Sequence, residues 1–457
     1  SGVASYAITA ALGTLASGNY SFGFVDGTLA VTKAPLTVIA DNTTRAYGAA
    51  NPTFTATLTG FVNGETLATS GISGAAAVTT TATLTSAAGT YLLSPVVGTL
   101  TASNYALTTF TNGTLTIGQA SQTITFGALA NKTYGAASFA VAATASSSLT
   151  PSYSIVSGPA TLSGSTVTLT GAGTVVVRTS QAGDGNFTAA TPVDQSFTVA
   201  KATLTVTADA KSRVYGAANP TLTATITGYV NNETSTVISG AAAVTTATTT
   251  TSNVGGYTIT AAAGTLSATN YDFSFTAGTL TVSKAALTVT AEAKSRTYGD
   301  ANPMLTATIT GYVNSETSSV VSGTAAVTTT ATTTSNVGDY PITAALGSLS
   351  ATNYSFSFTN GTLTVGKAPL TITADNQTKV YGAANPALTA TITGFKNSET
   401  IAVLTGTIAL STVATTASGV ASYAITAALG TLTSGNYSFG FVDGALAVTK
   451  APLTVTA

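Results

Sequence analysis

Apolar and polar residues alternate in short runs along the chain. In residues 368–450 the run Leu370-Thr371-Ile372-Thr373-Ala374 has the period of a strand with one buried face. Residues 375–379 are polar and predict a turn. Val380-Tyr381-Gly382 then leads to Asn385-Pro386, which punctuates the chain. Residues 388–392 alternate again, 395–400 read as a loop, and 401–416 have room for two short strands. Tyr423 to Ala427 predicts another strand. Tyr437 to Phe441, a turn at Asp443-Gly444, and Leu446 to Val448 predict a closing hairpin. About seven short strands without helical periodicity suit an all-β, two-sheet sandwich of immunoglobulin type. Its inward faces would carry Leu370, Ile372, Leu388, Ile392, Ile425, Leu432, Phe439, Phe441, Leu446 and Val448.

The same pattern recurs, and the repeat organises the chain. A junction element, Lys-Ala-Pro/Ala/Thr-Leu-Thr-Val/Ile, begins at Lys33, Lys201, Lys284, Lys367 and Lys450, with a degenerate copy at Gln119. It divides the chain into modules of about 83 residues: 34–119, 120–201, 202–284, 285–367 and 368–450. Residues 1–33 read as the C-terminal part of a module, and 451–457 as the first strand of another. A longer period lies above the first. Residues 1–40 match 418–457 at 37 of 40 positions, the differences being Ala16/Thr433, Thr28/Ala445 and Ile39/Thr456. The chain therefore reads as one block of a longer array.

Composition narrows the function classes. Charged residues make up 6% of the 457 residues and the formal net charge is −1, against roughly 25% charged residues in an ordinary soluble domain. Such a surface gives no electrostatic reason to bind nucleic acid or an anionic membrane. Cys, His and Trp are absent. That removes disulfides, thiol nucleophiles, the usual general base and the commonest transition-metal ligand. No signal peptide and no bilayer-long apolar run is evident, so no membrane insertion is expected in this segment. No cofactor is implied.

The Tyr-Gly element stands as Tyr47-Gly-Ala-Ala-Asn-Pro52, Tyr215-Gly-Ala-Ala-Asn-Pro220, Tyr298-Gly-Asp-Ala-Asn-Pro303 and Tyr381-Gly-Ala-Ala-Asn-Pro386. Together with the Lys-Ala-Pro-Leu-Thr-Val opening and the Asn-Tyr-Ser-Phe…Gly-Thr-Leu-Thr-Val ending, it resembles the MBG/YDG-type repeats of large bacterial surface proteins, including filamentous-haemagglutinin-like adhesins. The resemblance covers four complete modules and both partial ones. It implies an extracellular, cell-surface or secreted filament setting. Module 120–201 keeps Tyr134-Gly135-Ala136-Ala137 but continues with Ser138-Phe139, and ends in Asp184-Gly185-Asn186-Phe187. It resembles a divergent bacterial immunoglobulin-like module.

Three recurrent residue sets are candidates for chemistry. The first is an aromatic four residues before a glutamate: Phe61/Glu65, Tyr229/Glu233, Tyr312/Glu316 and Phe395/Glu399. An aromatic and a carboxylate together could contact a sugar, whereas Asn and Thr around them suit a plain turn. The second is the tyrosine of each Tyr-Gly element, Tyr47, Tyr134, Tyr215, Tyr298 and Tyr381. It is either a binding stripe or a partly buried anchor that holds a turn through its hydroxyl. A companion set, Tyr20, Tyr105, Tyr271, Tyr354 and Tyr437, follows an Asn and suggests a tyrosine-corner device. The third is an acid four residues before a base: Asp41/Arg45, Asp209/Arg213, Glu292/Arg296 and Asp375/Lys379, expected as exposed pairs worth about 0–1 kcal/mol. No carboxylate cluster of calcium-loop type is present. Asp300 replaces an Ala found at 49, 217 and 383, which reads as tolerance of a charge change.

The Lys-Ala-Pro-Leu junction contains no flexible linker, and Pro fixes φ at the joint. Stiff end-to-end modules are expected, each partnered by its neighbours, with other copies in a fibre or a glycan surface as further partners. A non-enzymatic stalk or filament shaft follows. The alternative is low-affinity binding modules acting by avidity.

Overall fold

The computed structural model describes residues 1–455. They divide into two compact units. One holds 1–204, 228–239 and 267–273; the other holds 205–227, 240–266 and the residues from 274 onward. The described residues are all-β, with helical structure confined to the single 3-10 turns Ser235–Val237, Ser318–Val320 and Ile401–Val403.

In the second unit, module 368–450 shows how the standard repeat folds. Its seven strands are Ala368–Ala374, Gln377–Val380, Ala390–Thr393, Ala409–Thr412, Ser422–Ala428, Tyr437–Val442 and Gly444–Thr449. The third, first and sixth form one sheet in that order. The second, seventh, fifth and fourth form the other. Leu370, Ile372, Ile425 and Leu446 are fully buried between them and Val448 and Leu432 nearly so, while Leu388, Ile392, Phe439 and Phe441 are half-buried. Each fully buried aliphatic side chain contributes about 1.5–3 kcal/mol. Module 285–367 repeats both strand orders.

Three local expectations change. The sixth and seventh strands are not a hairpin, because they belong to different sheets. The chain crosses between sheets at Asp443-Gly444, where a side chain on Gly444 would lie 2.3 Å from the carbonyl oxygen of Ala374. Asp443 Oδ1 accepts the Ala427 N–H at 3.1 Å and Asn376 Oδ1 accepts that of Ala445 at 2.8 Å, which fixes this crossing and the one at Asp375-Asn376 between the first and second strands. The expected turn at 375–379 shortens to two residues, because Gln377–Val380 pairs in parallel with the last strand. Residues 401–416 hold one strand and a 3-10 turn, not two strands.

The first unit contains modules 34–119 and 120–201. Module 34–119 has the same two sheet orders as 368–450. Module 120–201 differs: the consecutive strands Gly173–Ser180 and Val193–Ala200 pair directly, from Gly173 with Val199 to Thr179 with Val193, without crossing between sheets. Its core is built on Val167, Val175, Val177, Phe197 and Val199.

Residues 1–33 form one antiparallel pair, Ala4–Ile8 with Gly27–Val31, in the register that Ser422–Ala428 and Gly444–Thr449 use. Residues 20–25 take no strand although they are identical to 437–442. Tyr20 is 80% exposed and Tyr437 1%. In module 368–450 that strand pairs with Ala368–Ala374, and residues 1–33 contain no counterpart of it. The expected strand at 451–457 is likewise not seen in 451–455, which find no pairing partner among the described residues; 456 and 457 lie outside them.

Candidate functional site

The recurrent tyrosines and glutamates meet at the joints between successive modules. At the joint of 202–284 with 285–367, within the second unit, Glu316 accepts hydrogen bonds from two phenols. Tyr215 of the preceding module donates to Oε1 at 2.7 Å, and Tyr354 of the glutamate's own module donates to Oε2. The rings meet edge to face, with centroids 5.6 Å apart. At the next joint Glu399 holds Tyr298 at 2.7 Å and Tyr437 at 2.6 Å. In the first unit Glu233 holds Tyr134 at 2.7 Å, and Tyr271 through its other oxygen.

A two-phenol clamp on one carboxylate is a charge-assisted arrangement, stronger than a bond between neutral groups. It also raises the tyrosine pKa values, because the neutral phenol is the donor. Burial, and then the bond to Glu316, pushes Tyr354 up to about 12. Burial and Glu399 do the same for Tyr437, again to about 12. Tyr134, Tyr215 and Tyr298 are raised by their glutamates first and by burial second.

The Tyr-Gly element works as a unit. Gly216 has φ +83°, and a Cβ there would lie 2.3 Å from the Val313 side chain across the joint. Gly299 meets Lys396 and Gly135 meets Val230 in the same way. The glycine therefore supplies both a left-handed turn and room for the next module's loop. That loop carries Asn231, Asn314 and Asn397, themselves at positive φ. Asn314 and Asn397 donate back across the joint to the carbonyls of Thr250 and Thr333, each at 3.2 Å. A third contact comes from the Asn before each closing-strand tyrosine. Asn353 Oδ1 accepts the Val254 N–H and Asn436 Oδ1 that of Val337, each at 3.0 Å. Asn270 Oδ1 accepts that of Ala172 at 3.0 Å.

The candidate ligand-contact residues are thus placed. Phe61, Tyr229, Tyr312 and Phe395 lie edge-on against Tyr105, Tyr271, Tyr354 and Tyr437. All four, and Glu65, Glu233, Glu316 and Glu399, are half-buried. The Tyr312 hydroxyl is buried with no partner, and burial raises its pKa. Glu65 accepts from Tyr105 at 2.6 Å. A cavity of about 340 Å³ beside it is bordered by Val3, Val31, Asn63, Glu65 and Tyr105. Among the Tyr-Gly tyrosines, Tyr134, Tyr215 and Tyr298 are buried while Tyr381 is 50% exposed. The hydroxyls of Tyr134, Tyr215 and Tyr298 reach the next module and do not hold their own turn.

The acid/base pairs do not form as expected. Asp41 accepts from the Thr55 and Thr57 hydroxyls, each at 2.6 Å, which holds its carboxyl below the usual range. Arg45 is buried instead. It donates to Asn51 Oδ1 at 2.7 Å and to the Thr83 carbonyl at 2.6 Å, tying the Asn-Pro turn to a second turn. Arg213 with Asn219, and Arg296 with Asn302, repeat this latch. Lys379 donates to the carbonyls of Ala383 and Thr415. The acid lies in the turn and the base in the following strand with its side chain inward, so the two never face each other. No group of three or more His, Cys, Asp or Glu that could hold a metal ion occurs among the described residues.

The joint between 34–119 and 120–201 lacks the clamp although it keeps a Tyr-Gly tyrosine, Tyr47. Phe187 replaces the closing-strand tyrosine and no glutamate stands opposite. Tyr47 keeps an edge contact with Phe187 at 5.3 Å, and Asn186 Oδ1 still accepts the Ala88 N–H at 2.9 Å. Nothing lies within 4 Å of a Cβ on Gly48.

Sequence reasoning missed Asn270, Asn353 and Asn436 as joint residues, together with Val230, Val313 and Lys396. The available signal was the fixed separation of Tyr and Glu. Tyr215 and Glu316, like Tyr298 and Glu399, stand 101 residues apart, more than one module.

The family model described as MBG domain (YGX type) matches residues 36–116, 204–281, 287–364 and 370–447, more than half of the chain. No curated protein sequence matches. Among solved structures the chain is similar to the N-terminal eight Ig domains of Down Syndrome Cell Adhesion Molecule isoform 1.30.30, at 11% identity and a TM-score of 0.25, covering 95% of this chain and 63% of that one. Drosophila N-cadherin EC1-4 aligns at 9% identity and a TM-score of 0.18, over 65% of this chain and 92% of that one. The I-band fragment I67-I69 from titin aligns at 12% and 0.19, over 53% and 98%.

Proposed function

The chain belongs to the family of MBG domains of the YGX type, and from that premise we propose that it is a reach-extending structural stalk or filament-shaft segment of a large repetitive bacterial surface protein. The observation that carries this reading is the clamp repeated at successive joints, Tyr215–Glu316–Tyr354 and Tyr298–Glu399–Tyr437. Residues that recur once per module are used to hold the next module. That is what a reach-extending element requires and what a ligand site does not explain. The absence of cysteine agrees with export as an unfolded chain.

The test is immunoelectron microscopy of the native cell surface with antibody to residues 202–367. Labelled fibres of constant width are expected. Label over contact zones without fibres would overturn the stalk in favour of modules that bind a surface directly; binding of a single module to a glycan would then be measurable. Label confined to the cell interior would overturn both.

A further inference from the structure

The three clamped joints share a frame but differ at two facing positions. One is the residue after Tyr-Gly: Ala136, Ala217 or Asp300. The other is the loop residue that presses on the glycine: Val230, Val313 or Lys396. The combinations are Ala with Val, Ala with Val, and Asp with Lys. At the third joint Lys396 Nζ lies 3.0 Å from Asp300 Oδ1, and both side chains are partly exposed. Asp300 Oδ2 also accepts from the Thr297 hydroxyl. Asp300 is thus not a tolerated charge. Its partner stands in the next module, at a position that is Val in the other three standard modules, Val62, Val230 and Val313.

We propose that positions 300 and 396 form a neighbour-selecting pair, which keys module 368–450 to module 285–367 and to no other Tyr-Gly face in the array. The physical need is clear. Standard modules present nearly the same clamp, so Tyr, Gly, Glu and Asn cannot distinguish one neighbour from another, and similar tandem domains misassemble. A charge pair adds discrimination because either mismatch, Asp facing Val or Lys facing Ala, leaves one charge without its partner. The partner selected is a module of this same chain type bearing a cation at the Val position. The surrounding charge is sparse enough for one pair to matter.

The experiment is a double-mutant cycle in the full chain. Asp300→Ala and Lys396→Val each install the residue found at the sister joints, so neither introduces a foreign group. Hydrogen exchange at the Val337 amide, which donates to Asn436 across this joint, is the readout; Val254 is the internal control. Each single substitution is expected to raise exchange at Val337 by about 1.4- to 5-fold, the range of an exposed pair. The double substitution should recover most of that loss. High salt should speed Val337 in the parent chain and leave Val254 unchanged. Singles without effect, or a double equal to the product of the singles, would overturn the pairing. Installing Ala217→Asp with Val313→Lys should transfer the salt response to Val254; failure to transfer it would also count against selection.

Discussion

Two joints of this chain use the same asparagine contact and differ in almost everything else. At 285–367/368–450 the Asn436 contact is reinforced by a glutamate holding two phenols, by a glycine packed under the next module's loop, and by an ion pair. At 34–119/120–201 the Asn186 contact stands with one ring-edge contact and an open Gly48. Docking strength is therefore set by the pair of modules that meet, not by the Tyr-Gly element alone. The divergent module keeps Asn186-Phe187 where its neighbours have Asn-Tyr, and loses the hydroxyl and the glutamate together. The glutamate and closing-strand tyrosine of a clamp belong to one module and the Tyr-Gly tyrosine to the module before it, so module 120–201 has no clamp toward 34–119 and still gives Tyr134 to the clamp with Glu233 and Tyr271.

The comparison can be broken most severely at the glycines. Gly216→Val combines left-handed strain of about 1–2 kcal/mol with overpacking of about 1–3 kcal/mol against Val313. Gly48→Val carries the strain alone. Hydrogen exchange at Val254 should accelerate strongly in the first variant, and Ala88 should change little in the second. Next in size is Glu316→Gln. The amide can accept one phenol but offers the other only donors, costing about 1.5–3 kcal/mol. The Tyr354 titration, followed by phenolate absorbance, should fall from about 12 but stay above the ordinary tyrosine value, because burial, the larger cause of the shift, remains.

Alkaline pH sharpens the contrast without mutation. Tyr354 and Tyr437 have pKa values raised in the folded state, from 10 to about 12. Above pH 10 the unfolded chain loses these protons first. The stabilisation is therefore complete below pH 10 and is lost as pH rises through 12. Exchange at Val254 and Val337 should speed up in that window before exchange at Ala88 does. The smallest effect is expected for Tyr47→Phe, within about 0.5 kcal/mol, because its contact with Phe187 uses the ring and not the hydroxyl. A larger loss at Ala88 would show that this joint has a clamp of its own.

Much of the fold was legible because strand periodicity is local. Leu370 to Ala374 alternates, and it lies in a strand with Leu370 and Ile372 buried. What was hidden depends on pairing over distance. Residues 20–25 and 437–442 are identical in sequence, yet one segment is exposed chain and the other a paired strand that buries Tyr437 and half-buries Phe439 and Phe441. No local rule distinguishes them; the first strand of the module does. Asp443-Gly444 suits a hairpin in sequence and is a crossing in the fold, because a turn residue does not say which sheet follows it. The candidate glutamates were found by recurrence, but their partners stand about a hundred residues away on another module, so the choice between ligand and turn omitted the arrangement that occurs.

The pairing of first and last strands has a mechanical consequence. In module 368–450, Ala368–Ala374 runs parallel to Tyr437–Val442, and Gln377–Val380 parallel to Gly444–Thr449. Tension applied through the two ends of the module pulls these neighbours in opposite directions along their own axes. Their hydrogen bonds are then loaded side by side in shear and must yield together, whereas an antiparallel pair pulled from one end unzips bond by bond. A chain of such modules resists stretching at every link until a whole sheet edge slides.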